Sequence, residues 1–464
     1  MKYPLLATAL GSLLLPALAN SDSNIKSGGA TTVYDQSRNA FSLPAANLSI
    51  LRRDNFFIGN AFFKQPWVSS PASTKARDGL GPLFNTNTCQ SCHVKDGRGR
   101  PPHSENEDFL SILVRLSIPA TDSEADQQLL KTHGVVPEPH YGDQLQPKAI
   151  RGIAAEARPQ LSYKTINGTF KDGTSYQLIK PSLQFQKLAY GPLHPKTLSS
   201  ARVAPAMIGL GLLDAITDKD ILSLADPEDN NNDGISGRAN YVWDAAQQKT
   251  VLGRFGWKAN QPNIAQQVMG AFHGDMGLTS SLNPKQNCTP VQTSCQQAID
   301  GGDPEVPSHI MDKVVFYSST LAVPARRNHD AANVVKGQQL FMSSGCSSCH
   351  RPSFKTAEYP AIKELSKQTI YPYSDLLLHD MGDGLSDQRP DFLASGNEWR
   401  TPPLWGIGLV NTVNGHTRFL HDGRARNLSE AILWHGGEAK SAQQRYIDMP
   451  KADRDALIAF LNSL

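Results

Sequence analysis

Two short segments hold the side chains most suited to chemistry in this chain of 464 residues. In each, two cysteines separated by two residues are followed at once by a histidine. These residues are Cys89, Cys92 and His93, and then Cys346, Cys349 and His350. Such a pattern attaches haem c, because the thiols bond to the haem vinyl groups and the histidine ligates the iron. With 6 cysteines and 13 histidines in the chain, only about 0.002 accidental matches are expected. A redox CxxC pair or half of a zinc site does not require the histidine, so the sequence predicts two covalently bound haem c groups.

The first residues have the pattern of a secretion signal. An apolar stretch from Leu5 to Leu18 follows Lys2 and ends in an A-x-A cleavage site at residues 17–19. We therefore predict a signal peptide over residues 1–19 and a periplasmic mature protein. A membrane anchor is the alternative, but Pro4, Gly11 and Pro16 interrupt the apolar N-terminal segment. No other segment approaches the roughly 18 apolar residues that a span needs, so we expect no transmembrane anchor in the mature chain.

The composition limits the choice of partners. Lysine and arginine number 45 against 43 aspartates and glutamates, and no long basic run occurs. This balance does not favour nucleic acid as a partner. The length suits two or three domains, and the 36 glycines and 31 prolines indicate many loops.

Two cysteines remain outside the haem motifs, at Cys288 and Cys295. In an oxidising compartment, so close a pair is typical of a disulfide that closes a surface loop. Its predicted role is structural, since neither CxxC spacing nor a helix start favours a redox role.

The C-terminal segment, 331–464, has the plan of a cytochrome c domain. An amphipathic helix leads into the second haem motif, and another ends the chain. The last helix is expected to bury Ala456, Leu457, Phe460 and Leu461.

The N-terminal haem domain, 20–330, is longer. An aromatic-rich helix should precede its haem motif, and short strands with turn signals at Asn167-Gly168 and Asp172-Gly173 predict a β-rich insertion over about 108–200. Residues 281–330 read as an irregular linker. The predicted fold is mainly α, with two cytochrome c-type haem domains in tandem and the insertion in the first.

Three stretches together resemble the superfamily of dihaem cytochrome c peroxidases and MauG. They are the tandem haem motifs, GRFGWKANQPNIAQQVMGAFHGDMG at 253–277, and HDGRARNLSEAILWH at 421–435. The chain is most similar to the longer branch of dihaem oxidoreductases, labelled thiol oxidoreductases or dihaem peroxidases. The β-rich insertion has no counterpart in the small peroxidases.

The resemblance implies that the C-terminal haem is six-coordinate and accepts electrons. It places His435 as the second ligand of that iron, where the peroxidases have methionine and MauG has tyrosine. Two histidine ligands generally give a lower potential than histidine with methionine. Met381 and His379 are the alternative ligands.

The resemblance also makes the N-terminal haem, ligated by His93, the reactive one. Peroxide reduction needs a group that takes a proton from the bound oxygen and delivers it to the leaving one. Gln267 and Asp275 match the superfamily's Gln and Glu, although the spacing is about two residues shorter and Asp is a shorter side chain. The opposite face of this iron is either open or closed by His103 or His273.

Trp257 resembles the aromatic residue that lies between the haems in this superfamily, where an indole can relay an electron. In isolation a tryptophan is more often a core residue.

The acidic loop around Asp229, Asn231 and Asp233 reproduces the first half of a calcium loop, followed by Gly234. Alternating oxygen ligands before a glycine suit calcium. No glutamate stands at the twelfth position, and a plain Asx-rich turn is the alternative.

These observations predict a periplasmic dihaem peroxidase that reduces hydrogen peroxide at the His93 haem. Electrons would enter at the His350 haem from a small periplasmic donor, namely a cytochrome c, a cupredoxin or a quinol. The alternatives are a dihaem electron-transfer cytochrome without a substrate pocket, and a MauG-like oxidase of a partner protein or thiol.

Overall fold

The computed structural model describes residues 25–104 and 107–464, so the predicted signal peptide lies outside the described residues. The helices are α1 (Ile50–Lys64), α2 (Cys89–Cys92), α3 (Glu124–His133), α4 (Leu210–Asp214), α5 (Asp218–Leu222), α6 (Ile264–Met276), α7 (Thr293–Gln296), α8 (Ser308–Ser319), α9 (Ala332–Ser343), α10 (Val410–Asn414), α11 (Leu428–Leu433), α12 (Lys440–Asp448) and α13 (Lys451–Ser463). Within the described ranges, no helix has both the length and the apolar character to cross a bilayer.

The strands are β1 (Leu83–Phe84), β2 (Ile112–Ser117), β3 (Gln144–Leu145), β4 (Lys148–Ala149), β5 (Arg158–Thr169), β6 (Ser175–Gln186), β7 (Leu198–Val203), β8 (Tyr241–Asp244), β9 (Lys249–Leu252), β10 (Phe354–Lys355), β11 (Thr369–Ile370), β12 (Leu378–Asp380) and β13 (Glu398–Arg400). β2 lies between β3 and β7, and the other strands pair two by two. Five strands, the start of β7 and one helix, α3, fall between residues 108 and 200. The described part of the chain therefore mixes helix with small antiparallel sheets.

A long hairpin of β5 and β6 leaves this strand-rich region. It turns at Asp172 and Gly173, where the Thr174 amide donates to Asp172 Oδ1 at 3.0 Å and Gly173 has a φ of 85° that favours glycine. At the tip, Asp172 forms an ion pair with Arg454 of α13 at 2.8 Å. The hairpin thus reaches from the N-terminal half of the chain onto the C-terminal half.

Two pairs of helices cross in the same way. α1 crosses α8, and α9 crosses α13, with a glycine at each crossing. A Cβ on Gly59 would overlap the carbonyl oxygen of Lys313, and one on Gly337 would overlap that of Ala456. Only glycine permits the two backbones to approach so closely. The four α13 residues predicted to be buried are buried.

The expectation of an irregular linker over 281–330 is wrong for its second half. α8 lies there and buries Ile310, Met311, Val314 and Tyr317, which recur at helical spacing. These side chains pack against α1 and α6 in the largest of three buried apolar clusters of the described residues. Each of the two large clusters draws residues from both halves of the chain. The boundary near residue 330 therefore divides the sequence but not the buried interior.

Candidate haem sites

His93 follows directly after α2, which carries Cys89 and Cys92. Its Nδ1 lies 2.8 Å from the carbonyl oxygen of Pro205, which can only accept, so Nδ1 carries the proton and Nε2 has a free lone pair. Burial lowers the pKa of His93 to about 4. The imidazole is therefore neutral at pH 7, the form that ligates a metal.

The two thiols beside His93 are buried, and burial raises the pKa of Cys89 to about 12 and that of Cys92 further still. A redox CxxC pair acts through a thiolate of lowered pKa, so these thiols do not fit that alternative.

His350 repeats this arrangement in the C-terminal half. Its Nδ1 lies 3.0 Å from the carbonyl oxygen of Tyr373, and burial lowers its pKa to about 4. The Phe341 ring lies 6.2 Å from the His350 ring, as the Phe63 ring lies 6.2 Å from that of His93. Each histidine is thus held by one backbone carbonyl and one phenylalanine of the entering helix.

His435 faces His350. The two ring centroids are 6.5 Å apart, and Nδ1 of His435 lies 2.7 Å from the carbonyl oxygen of Ala431. Both Nδ1 atoms therefore carry protons and leave both Nε2 atoms for a metal. The gap has room for an iron with two metal–nitrogen bonds of about 2 Å. The residues present fit a bis-histidine haem, and α11 positions the second ligand.

Both ring nitrogens of His379, one alternative ligand, already contact carboxyl groups. Nε2 lies 2.8 Å from Asp375 and Nδ1 lies 2.6 Å from Glu438. Burial alone would lower the pKa of His379, but the hydrogen bonds, led by that to Asp375, raise it well above its usual value. An imidazolium cannot ligate iron. Met381, the other alternative, lies half-buried beside Gly436.

A cavity of about 730 Å³ adjoins His93. Its lining includes both thiols of the first motif and the face of α6 that carries Gly270, Ala271 and Gly274. A Cβ on Gly270 would meet no heavy atom within 4 Å, so this helix face leaves open space beside the histidine. The volume lies within the usual range for cofactor sites of about 300–1,000 Å³. The cavity is therefore large enough to hold a haem.

Gln267 and Asp275 both line this cavity. Asp275 Oδ1 accepts a hydrogen bond from Gln144 Nε2 at 2.8 Å, and burial raises the pKa of Asp275 above its usual value. A carboxyl group in this state can take and return protons closer to neutral pH. The sequence interpretation missed Gln144, which lies on the two-residue strand β3 and has no local motif to reveal it.

The two histidines considered as second ligands of the first iron lie in different parts of the structure. His273 lines the cavity, with Nε2 3.1 Å from the carbonyl oxygen of Lys285, and burial lowers its pKa. His103 is exposed on a loop. Among the described residues, neither histidine faces the His93 ring in the way that His435 faces the His350 ring.

Trp257 lies at the boundary between the two halves. It lines the cavity and also packs in the apolar core that contains α9 and α13. Its indole N–H donates to the carbonyl oxygen of Val203 at 2.8 Å, and the Arg98 guanidinium lies 5.6 Å from its ring. Its place between the two haem sites stays a prediction.

The acidic loop is exposed, and its side chains accept hydrogen bonds from backbone amides of the same loop. Asn231 accepts the Asp233 amide at 2.8 Å, and Asp233 accepts the Ile235 amide at 2.9 Å. These are Asx turns. In the described ranges, the one convergence of three metal-binding His, Cys, Asp or Glu atoms is at Cys349, Asp375 and His379. Calcium binding by Asp229, Asn231 and Asp233 stays a prediction.

The disulfide prediction is confirmed, since Cys288 and Cys295 are bonded with a Cα separation of 5.8 Å. The loop they close packs on the strand-rich region, where the buried Gln292 donates to Glu156 at 2.6 Å. Burial raises the pKa of Glu156 to about 8.

Two histidine sites of this kind, each with its own pair of cysteines, define a protein that carries two haem groups. A family model described as "di-haem oxidoreductase, putative peroxidase" matches residues 22–464, and the chain belongs to this family. No curated protein and no solved structure matches the chain.

Proposed function

We propose that this protein is a periplasmic dihaem c-type enzyme that reduces hydrogen peroxide at the His93 haem. Electrons enter at the His350 haem. The observation that carries this proposal is an asymmetry, because His350 is faced by a second histidine and His93 is faced by a cavity. A closed iron can only pass electrons, whereas an open one can also bind an oxidant.

The proposal assigns haem attachment to Cys89 and Cys92 in the first site and to Cys346 and Cys349 in the second. A bound haem would supply the iron that binds peroxide and the electrons that cleave its O–O bond. The crossed pairs α1–α8 and α9–α13 support two cytochrome c-type domains in tandem, with the strand-rich region inserted in the first.

Asp275 moves the proton. Its carboxylate accepts a proton from the oxygen nearer the iron and returns it to the leaving oxygen, so that water departs. Gln144 holds the carboxylate in place through its 2.8 Å hydrogen bond. Gln267 lies about two turns before Asp275 on α6 and lines the same cavity. It orients the peroxide by hydrogen bonding.

Trp257 connects the two sites. Its position at the cavity wall and in the apolar core that also contains α9 and α13 supports a role as electron relay. The donor is a small periplasmic cytochrome c, cupredoxin or quinol. Asp229, Asn231 and Asp233 would hold a calcium ion.

The test is the reaction of the fully oxidised holoprotein with one equivalent of hydrogen peroxide, followed by visible and EPR spectroscopy. We expect a high-spin haem signal to disappear while the low-spin signal stays. Two unchanging low-spin haems would contradict the proposal.

Two unchanging low-spin haems would favour the second candidate, a dihaem electron-transfer cytochrome. One observation supports it, namely that His273 lines the cavity and could reach the iron after a movement of α6. Replacement of His273 by alanine separates the candidates, because a new high-spin signal in this variant alone would identify it as a ligand.

A further inference from the structure

A buried phenol and a buried carboxylate meet near His93. The Tyr317 hydroxyl of α8 donates to Asp96 Oδ1 at 2.6 Å, and both residues are 0% exposed. The Tyr317 ring lies 5.2 Å from the Phe63 ring, which lies 6.2 Å from His93. Aromatic contacts therefore connect the phenol to the first iron ligand.

Burial of Asp96 is unfavourable in free energy, so a packing role alone does not explain this residue. The Ser42 hydroxyl donates to its other oxygen at 2.5 Å. Lys64 and Lys95 favour the ionised form of Asp96 electrostatically, but neither is among the ion pairs of the described residues. Burial raises the pKa of Asp96, because a buried carboxylate without a close cation is unfavourable. Asp96 and Lys95 also have φ values of 60° and 54°, a region that residues other than glycine seldom adopt.

The C-terminal half shows what packing alone requires. There Phe460 of α13 takes the place of Tyr317, with its ring 5.1 Å from Phe341. The third residue after His350 is Ser353, where the third after His93 is Asp96. Phenylalanine fills this crossing, so the hydroxyl and the carboxylate of the first site are not needed for packing.

We propose that Tyr317 is a redox-active residue that gives an electron to the His93 haem after hydrogen peroxide has oxidised it, while its phenolic proton passes to Asp96. The inference rests on the proposed peroxide reaction. The O–H bond of Tyr317 breaks, the proton joins the Asp96 carboxylate, and the haem gains one electron. A neutral phenoxyl radical remains. An electron arriving later from the His350 haem reduces the radical, and the proton returns from Asp96 to Tyr317.

The number of electrons that peroxide reduction needs explains why an additional electron donor is useful. Reduction of hydrogen peroxide to water takes two electrons, whereas each haem passes them one at a time. Tyr317 lies beside the open site and can supply one of the two at once, before the second haem has been reduced again by its donor.

The experiment uses the full holoprotein and its Tyr317→Phe variant, mixed with hydrogen peroxide and frozen within milliseconds for EPR. Ring-deuterated tyrosine identifies a tyrosyl signal by its narrowed hyperfine pattern. Tyr141→Phe is the matched control, because Tyr141 is equally buried but donates to the backbone carbonyl of Gly191. Asp96→Asn keeps the tyrosine and its packing and removes the proton acceptor.

We expect a tyrosyl radical in the wild type and in Tyr141→Phe, its loss in Tyr317→Phe, and a reduced yield in Asp96→Asn with an unchanged resting haem spectrum. A radical that persists in Tyr317→Phe, or that is unaffected by labelled tyrosine, overturns the inference. So does a wild type whose haem reacts with peroxide without forming a radical, and in that case the proposed function stands. A haem inert to peroxide overturns both.

Discussion

The two haem sites share a frame and differ on the face opposite the attached histidine. In each, a glycine allows two helices to cross, a phenylalanine four residues later packs on the histidine, and a backbone carbonyl holds Nδ1. Beyond that frame, the second site has His435 and the first has a cavity. In the proposed function, this repeated scaffold gives the same cofactor attachment, and the residues on the far side of each iron separate the electron carrier from the reactive centre.

The largest effect is expected from Asp275→Asn, which would remove the proposed acid–base group of the first site. Asparagine keeps the size of the side chain and its contact with Gln144 but cannot take a proton. Peroxide turnover should fall by about 10²–10⁴-fold. Because burial raises the pKa of Asp275 and the ionised form accepts the proton, wild-type turnover should decline as the pH drops through that raised pKa.

Steady-state peroxidase assays across pH check both points, with Asp143→Asn as the control. Asp143 lines the same cavity but forms an ion pair with Arg115 at 2.9 Å. Wild-type turnover in Asp275→Asn would show that the proton is moved by another group.

His435→Ala should make the second site resemble the first. Loss of one axial ligand would open the iron and convert its low-spin EPR signal to high-spin. Donor-dependent turnover should fall by roughly 10–100-fold, the usual cost of a disturbed metal site. His103→Ala, an exposed residue outside both sites, should change neither quantity. An unchanged low-spin signal in His435→Ala would mean that another side chain ligates the second iron.

Gly59→Ala and Gly337→Ala test the part of the frame that the sites share. Each added Cβ would overlap a backbone carbonyl of the crossing helix, so each variant should lose about 1–3 kcal/mol of unfolding free energy. Urea denaturation of the two variants measures this loss. A loss in one half only would show that the two crossings are not equivalent.

The smallest effect concerns His379, which has no counterpart in the first site. Its pKa is raised in the folded state, so its stabilising contribution is complete below the unfolded value of about 6.5 and is lost as pH rises through the folded pKa. The slope attributable to this single proton is at most about 1.4 kcal/mol per pH unit. Denaturation from pH 5 to 9 should show a weaker decline in His379→Gln. Equal slopes for the wild type and the variant would rule out this proton as the cause.

Sequence patterns predict the features that are local. The CxxCH motifs, the buried face of α13 and the disulfide of Cys288 and Cys295 each lie within one short segment. The hairpin turn at Asp172-Gly173 was also one of the two turn signals. The other, Asn167-Gly168, lies inside β5, because the pairing of β5 with β6 outweighs the local preference for a turn.

Features that join distant segments could not be predicted in this way. Tyr317 and Asp96 are 221 residues apart, and Gln144 and Asp275 are 131 apart, so no spacing rule connects them. His435 was placed through a resemblance to known proteins, and only the structure shows that it faces His350. α8 is the exception, since its apolar residues recur at helical spacing and could have been recognised.

The central claim is that one iron is closed and the other open. The most direct test is a cyanide titration of the oxidised holoprotein followed by EPR. We predict that one equivalent binds per chain and converts a single high-spin haem to low-spin, while the bis-histidine signal stays unchanged. Binding at both irons, or at neither, would contradict the account.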